Sequence, residues 1–124
     1  MEIITSDLAP IRARYMRDPL PVRLGGLAAD MARIASFSYN PANLPAVASS
    51  MREAAHFIEW CAPDCDLETQ IVLLELQRGL AGWRAHLAAR FPEAAWRQQI
   101  ASSAQGWSER VLGMSGLLAE PPLA

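Results

Sequence analysis

Residues Leu67 to Phe91, LETQIVLLELQRGLAGWRAHLAARF, make the longest stretch of this chain that reads as one unbroken helix. Leu73, Leu76, Leu80, Trp83 and Leu87 recur at steps of three and four, which places them on a single helical stripe. Ile71, Val72 and Leu74 widen that stripe toward the N-terminal end, a breadth that suits contact with two neighbours. Asp64 or Asp66 can cap the first free N–H groups, and Glu68 falls where the helix dipole favours an anion. Arg90 and Pro92 mark the stop. At 1.5 Å per residue such a helix runs roughly 36 Å, the full length of a small domain. It separates the other strongly periodic segments, so they are expected to pack against it.

Gly79 and Gly82 break the helical rule, each at a cost of about 1 kcal/mol relative to alanine. With Glu75, His86 and Ala89 they make a narrow face away from the leucines. The first reading of that face is close approach of another helix of the same chain. The second is a contact between subunits, in which Gly79 and Gly82 admit a neighbouring backbone and Trp96 serves as an aromatic anchor.

Three other periodic segments flank this helix. Leu20, Leu24, Leu27, Met31, Ile34 and Ser38 follow a stripe over 20–39, entered through Asp18-Pro19-Leu20-Pro21, with Asp30 and Arg33 paired three apart on the outer side. Gly25-Gly26 weakens its first turns. After the turn at Tyr39–Asn43, Leu44, Val47, Met51, Ala54, Ile58 and Cys61 define a narrow seam over 44–61 of the kind used by antiparallel bundles. Ile100, Ala104, Trp107, Val111, Met114 and Leu118 form the stripe of a last helix over 93–115, with Trp96 at its entry and Gly113 and Gly116 fraying its end. The connection at Pro92-Glu93 is short enough to force the last two helices antiparallel. The expected fold is therefore all-α: one domain, 1–124, built as an up-and-down four-helix bundle. Residues 1–18 add an N-terminal arm or short extra helix, and 119–124 a tail. In the arm, Ser6 or Asp7 caps a helix whose Leu8, Ile11 and Tyr15 share a face, with Pro10 in the first turn. Arg12, Arg14, Arg17 and Arg23 are expected to be solvated or paired to acids. The core is expected to hold Leu27, Met31, Met51, Ile58, Leu76, Leu80, Trp83, Ile100 and Trp107.

Composition narrows the function. Of the 124 residues, 52% are hydrophobic and 19% charged, which suits a globular chain. The net charge of -2 gives no general attraction for nucleic acid or anionic membrane, so nucleic acid is an unlikely partner. Every basic side chain other than histidine is arginine. The acids at 64, 66, 68 and 75 balance the arginines of the arm, within the chain or between chains. No run approaches the length of a membrane span. MEIITSDLAP lacks the positive end and apolar core of an export signal, and two cysteines without one suggest reduced thiols in the cytoplasm.

Candidate chemistry is sparse. Glu53-Ala-Ala-His56 has the one-face spacing of a helical di-iron motif, but Trp83 stands where the glutamate partner of His86 would be. His56, Cys61, Cys65 and His86 are all the zinc-type ligands present, and Cys61 already reads as core. His56 and Trp60, four apart, can stack on one helix face. No phosphate-binding loop, nucleophile elbow or Cys-x-x-Cys occurs. No metal or cofactor is expected, and no enzymatic activity. The leading expectation is a small helical interaction module that self-associates as a homodimer. The alternative is a bundle that binds a small ligand or metal through His56, Trp60, Cys61, Trp83 and His86.

Overall fold

The computed structural model describes residues 3–118. It is helical throughout, with no strand among the described residues. Five α-helices follow one another: α1 (Ile3–Met16), α2 (Leu20–Phe37), α3 (Leu44–Cys61), α4 (Leu67–Arg90) and α5 (Ala94–Ser115). Single 3₁₀ turns at Pro41–Asn43 and Ala62–Asp64 lead into α3 and out of it. The expected tail at 119–124 lies outside the described residues.

Helix ends fall where the sequence punctuates them. Asp66, not Asp64, caps α4: its carboxylate accepts a 2.8 Å hydrogen bond from the Thr69 backbone N–H. That bond also holds the Asp66 carboxyl below its usual range. Gly116 does not fray α5; it closes it in the left-handed conformation, at φ +84°. α2 stops two residues sooner than expected, where the Ser38 hydroxyl turns back to donate to the Ile34 carbonyl at 2.6 Å.

The hub of the molecule is α2 rather than α4. α2 runs closely along both α5 and α3, whereas α4 meets α3 and α5 less intimately. Side-chain size explains the difference. α2 offers Ala28, Ala32 and Ala35 to α5, which answers with Ala101, Ala104 and Ser108, so their backbones approach closely, and α2 turns Gly26 toward α1 and α3. The Ser108 hydroxyl donates to the Ala28 carbonyl at 2.8 Å, a contact that only near-touching helices permit. α4 reaches the core through long side chains, Leu73, Leu76, Leu80 and Leu87, and so stands further off. The glycines that admit a neighbour are thus Gly25 and Gly26. A Cβ on Gly25 would sit 2.6 Å from Leu117 Cδ1, and one on Gly26 would touch Phe57 and Tyr15.

The core contains Leu27, Met31, Met51, Ile58, Leu76, Leu80 and Ile100 as expected. Trp83 and Trp107 pack against its edge and remain partly exposed.

The N-terminal segment corrects two expectations. α1 begins at Ile3, so Ser6 and Asp7 lie within the helix instead of capping it, and Pro10 falls in its interior, where it withholds one backbone hydrogen bond. Packing holds the helix in place: the Tyr15 ring stacks on Phe57 with centroids 3.9 Å apart, and its hydroxyl donates 2.8 Å to the Arg23 carbonyl. Of the two states expected for the arm's arginines, solvated or paired to acids, Arg23 takes the paired one. It is buried, donates from Nε to the Asp18 carbonyl at 3.0 Å, and pairs with Asp64 at 2.9 Å. One side chain thereby ties the α1–α2 turn to the turn before α4. Charged hydrogen bonds of this kind are each worth about 1.5–3 kcal/mol. Arg23→Ala should lower the unfolding free energy by about that amount in urea titrations, and a loss below about 0.5 kcal/mol would show that the tie is dispensable.

Candidate functional site

Three places could carry function: the aromatic seam under α1, a buried acid between α2 and α3, and the outer face of α4.

At the seam, His56 and Trp60 stack as their spacing predicts, with ring centroids 5.4 Å apart and planes 17° from parallel. Trp60 is buried and tilts against both Tyr15 and Phe57. α1 lies over this cluster and leaves a groove of about 560 Å³ beside Arg12, Met16, His56 and Glu59. The other members of the expected ligand set do not join it. His86 is exposed on α4, Trp83 sits at the core edge, and Cys61 points into the core. Among the described residues no group of three or more histidine, cysteine or acidic side chains comes together as a metal would require. Both cysteines are unpaired and buried. The Cys65 thiol donates 3.4 Å to the Cys61 carbonyl. Burial pushes the Cys61 thiol up to about 11 and raises that of Cys65 as well, so both stay protonated at neutral pH and make poor nucleophiles or ligands.

The buried acid was not foreseen. Asp30 reads in sequence as the outer partner of Arg33, yet its side chain is only 1% exposed. The reason is the two-sided burial of α2: a helix packed on both α3 and α5 has little outer surface left. One Asp30 oxygen accepts from the Arg33 guanidinium, which also stands 3.6 Å from Glu53. The other oxygen, Oδ2, is buried without a hydrogen-bond partner among the described residues. Burial is the main cause that pushes this carboxyl up, to about 7, and the neighbouring Glu53 carboxylate adds to it. Protonation of the carboxyl spares the cost of a buried charge with one unpartnered oxygen. Asp30 therefore holds its proton toward neutral pH. The one sequence clue was a Glu53 facing a helix already rich in small residues.

On α4 the outer face is apolar where solvent should favour charge. Leu67, Ile71 and Leu74 are 72%, 53% and 61% exposed. They continue at helical spacing into Arg78, Gly82, Ala85 and Ala89, all exposed. The inner face meanwhile buries Val72, Leu73, Leu76, Leu80 and Leu87, so α4 is apolar on both sides. Of the three residues expected at an interface, Gly79 and Gly82 lie open: a Cβ on either would meet nothing within 4 Å among the described residues. That overturns the reading in which they admit a helix of the same chain. Trp96 belongs to the core, with 6% exposure, and offers almost no surface to a partner. The aromatic signal at the entry of α5 marked burial, which periodicity alone cannot distinguish from an interface anchor.

Comparison of the chain with protein-family models, with characterised proteins and with solved structures finds no match.

Proposed function

We propose that the protein is a small non-enzymatic interaction module that works by a helix face and self-associates as a homodimer. The observation that carries this reading is the row of exposed Leu67, Ile71 and Leu74 on a helix whose opposite face is already committed to the core. Isolated exposed apolar side chains are ordinary, but a contiguous row is the usual mark of a contact surface, and a two-fold pairing is the commonest way to cover one. In this reading residues 1–124 are one domain. α2 to α5 form an up-and-down four-helix bundle, supported by their short connections and by the packing of α2 on both α3 and α5. α1 is the extra helix. No described helix is long and apolar enough to cross a membrane, and two unpaired cysteines suit the reducing cytoplasm.

A small-ligand bundle is the second reading, favoured by the groove beside the stacked His56 and Trp60. Native mass spectrometry of protein purified from its own host separates the two. Self-association gives twice the 13.6 kDa subunit mass with nothing added. A single subunit carrying a small-molecule mass increment supports the second reading and overturns the first.

One variant sharpens the test. Gly82→Leu enters open space on the isolated subunit and replaces glycine with a better helix former, so it should raise subunit stability by up to about 1 kcal/mol. At a packed interface the same side chain is oversized, at about 1–3 kcal/mol. Stability should rise while the dimer weakens at least about tenfold. Unchanged dimerisation would remove Gly82 from the contact.

A further inference from the structure

Resting on the self-association inferred above, we propose that the occupant of the α4 outer face is α4 of a second copy, paired antiparallel about a two-fold axis beside Arg78. The outer row has an internal asymmetry that makes it complementary to its own reverse. Its N-terminal half carries large side chains, Leu67, Ile71 and Leu74; its C-terminal half carries small ones, Gly82, Ala85 and Ala89. The two halves are spaced evenly about Arg78. Turned end over end, Leu67 meets Ala89, Ile71 meets Ala85, and Leu74 meets Gly82 of the other copy. Each large side chain finds a small one opposite, which is the condition for interdigitated packing. Gly82 then has a role that nothing inside the chain gives it: it receives Leu74 of the second copy.

Charge runs the same way. Asp66, Glu68 and Glu75 lie in or just before the N-terminal half, Arg78 lies at the axis, and Arg84, His86 and Arg90 lie in the C-terminal half. Antiparallel pairing sets acid against base at both ends and brings Glu75 beside Arg78 of the other copy, so the two arginines near the axis are each compensated. The helix dipoles also oppose. A parallel pair would set Glu68 on Glu68 and Arg84 on Arg84, and would leave Ala85 and Ala89 facing each other across a gap. Charge and shape thus select one orientation, in a contact that is isologous as a closed dimer requires.

Single cysteines and a bis-maleimide of short span test the register. In the antiparallel pair two copies of residue 71 stand about 21 Å apart, fourteen residues along the helix, as do two copies of residue 85. Ile71→Cys and Ala85→Cys should therefore cross-link when mixed and fail to do so separately. Wild-type protein is the background control, because Cys61 and Cys65 are both buried. Cross-linking of Ile71→Cys with itself would establish a parallel pair and overturn the proposal. No cross-link in the mixture, with light scattering still reporting two subunits, would overturn this surface and leave self-association standing. A single-subunit mass for the mixture would overturn both.

Discussion

Leu76→Ala should lower the unfolding free energy by about 2–5 kcal/mol, the range for a large buried side chain cut back in a core. Leu76 is fully buried between Leu73 and Leu80 on the inner face of α4. The cost depends on how far neighbours can close the void. α4 meets α3 and α5 less intimately than α2 does and reaches the core through a row of leucines, so it cannot move inward at one position without compressing the others. The void should persist, which puts the expected loss in the upper half of the range. Denaturant titration checks it: the midpoint should fall with the slope unchanged, since the same surface is exposed on unfolding. A loss below about 1 kcal/mol would mean that α4 settles into the gap and that its inner stripe is loosely packed.

Asp30→Asn should stabilise the protein at alkaline pH and leave it unchanged in acid. An aspartate in the unfolded chain titrates near its ordinary value of 3.8, whereas in the fold Asp30 is pushed up to about 7. Between those values the folded state binds more protons than the unfolded state, so stability falls as pH rises through that window and levels off above it. Each unit of upward shift is worth about 1.4 kcal/mol, so a rise from 3.8 to about 7 makes the penalty at pH 8 on the order of 4 kcal/mol. Asparagine cannot ionise, keeps an oxygen for Arg33, and puts a neutral amide group in place of the unpartnered oxygen. Urea titrations of both proteins from pH 4 to pH 8 should give curves that coincide in acid and diverge steadily upward for the variant. A constant difference across the series would show that Asp30 does not change its protonation there. A difference of opposite sign at pH 8 would show that the ionised carboxylate is stabilising through Arg33.

Helix ends were largely legible in the sequence because they are set by local chemistry. α3 and α4 begin and end where proline and the acid caps place them, 44–61 and 67–90. What was misread is the order of packing. Counting large apolar residues draws attention to α4, whose leucines are conspicuous. α2 makes the closer contacts by having little side chain at Gly25, Gly26, Ala28 and Ala35, and a stripe of small residues has no strong hydrophobic period. Asp30 was misplaced for the same reason: a charged residue reads as outward-facing until the helix around it is known to be buried on two sides. The candidate surface was half legible. Gly79 and Gly82 stand out in the sequence as costly, yet no helix among the described residues approaches them, and the exposed row beside Gly82 holds Leu67, Ile71 and Leu74, not Trp96. The inner and outer stripes of α4 overlap in sequence, and only the side of α4 that the core takes separates them.

Light scattering after gel filtration, run on the wild-type chain across micromolar concentrations, bears most directly on whether α4 pairs with a second copy of itself. The expected result is a mass of twice the 13.6 kDa subunit, falling toward one subunit only on dilution. A mass of one subunit at every concentration would contradict it, and would leave the exposed leucines of α4 to a partner of different sequence.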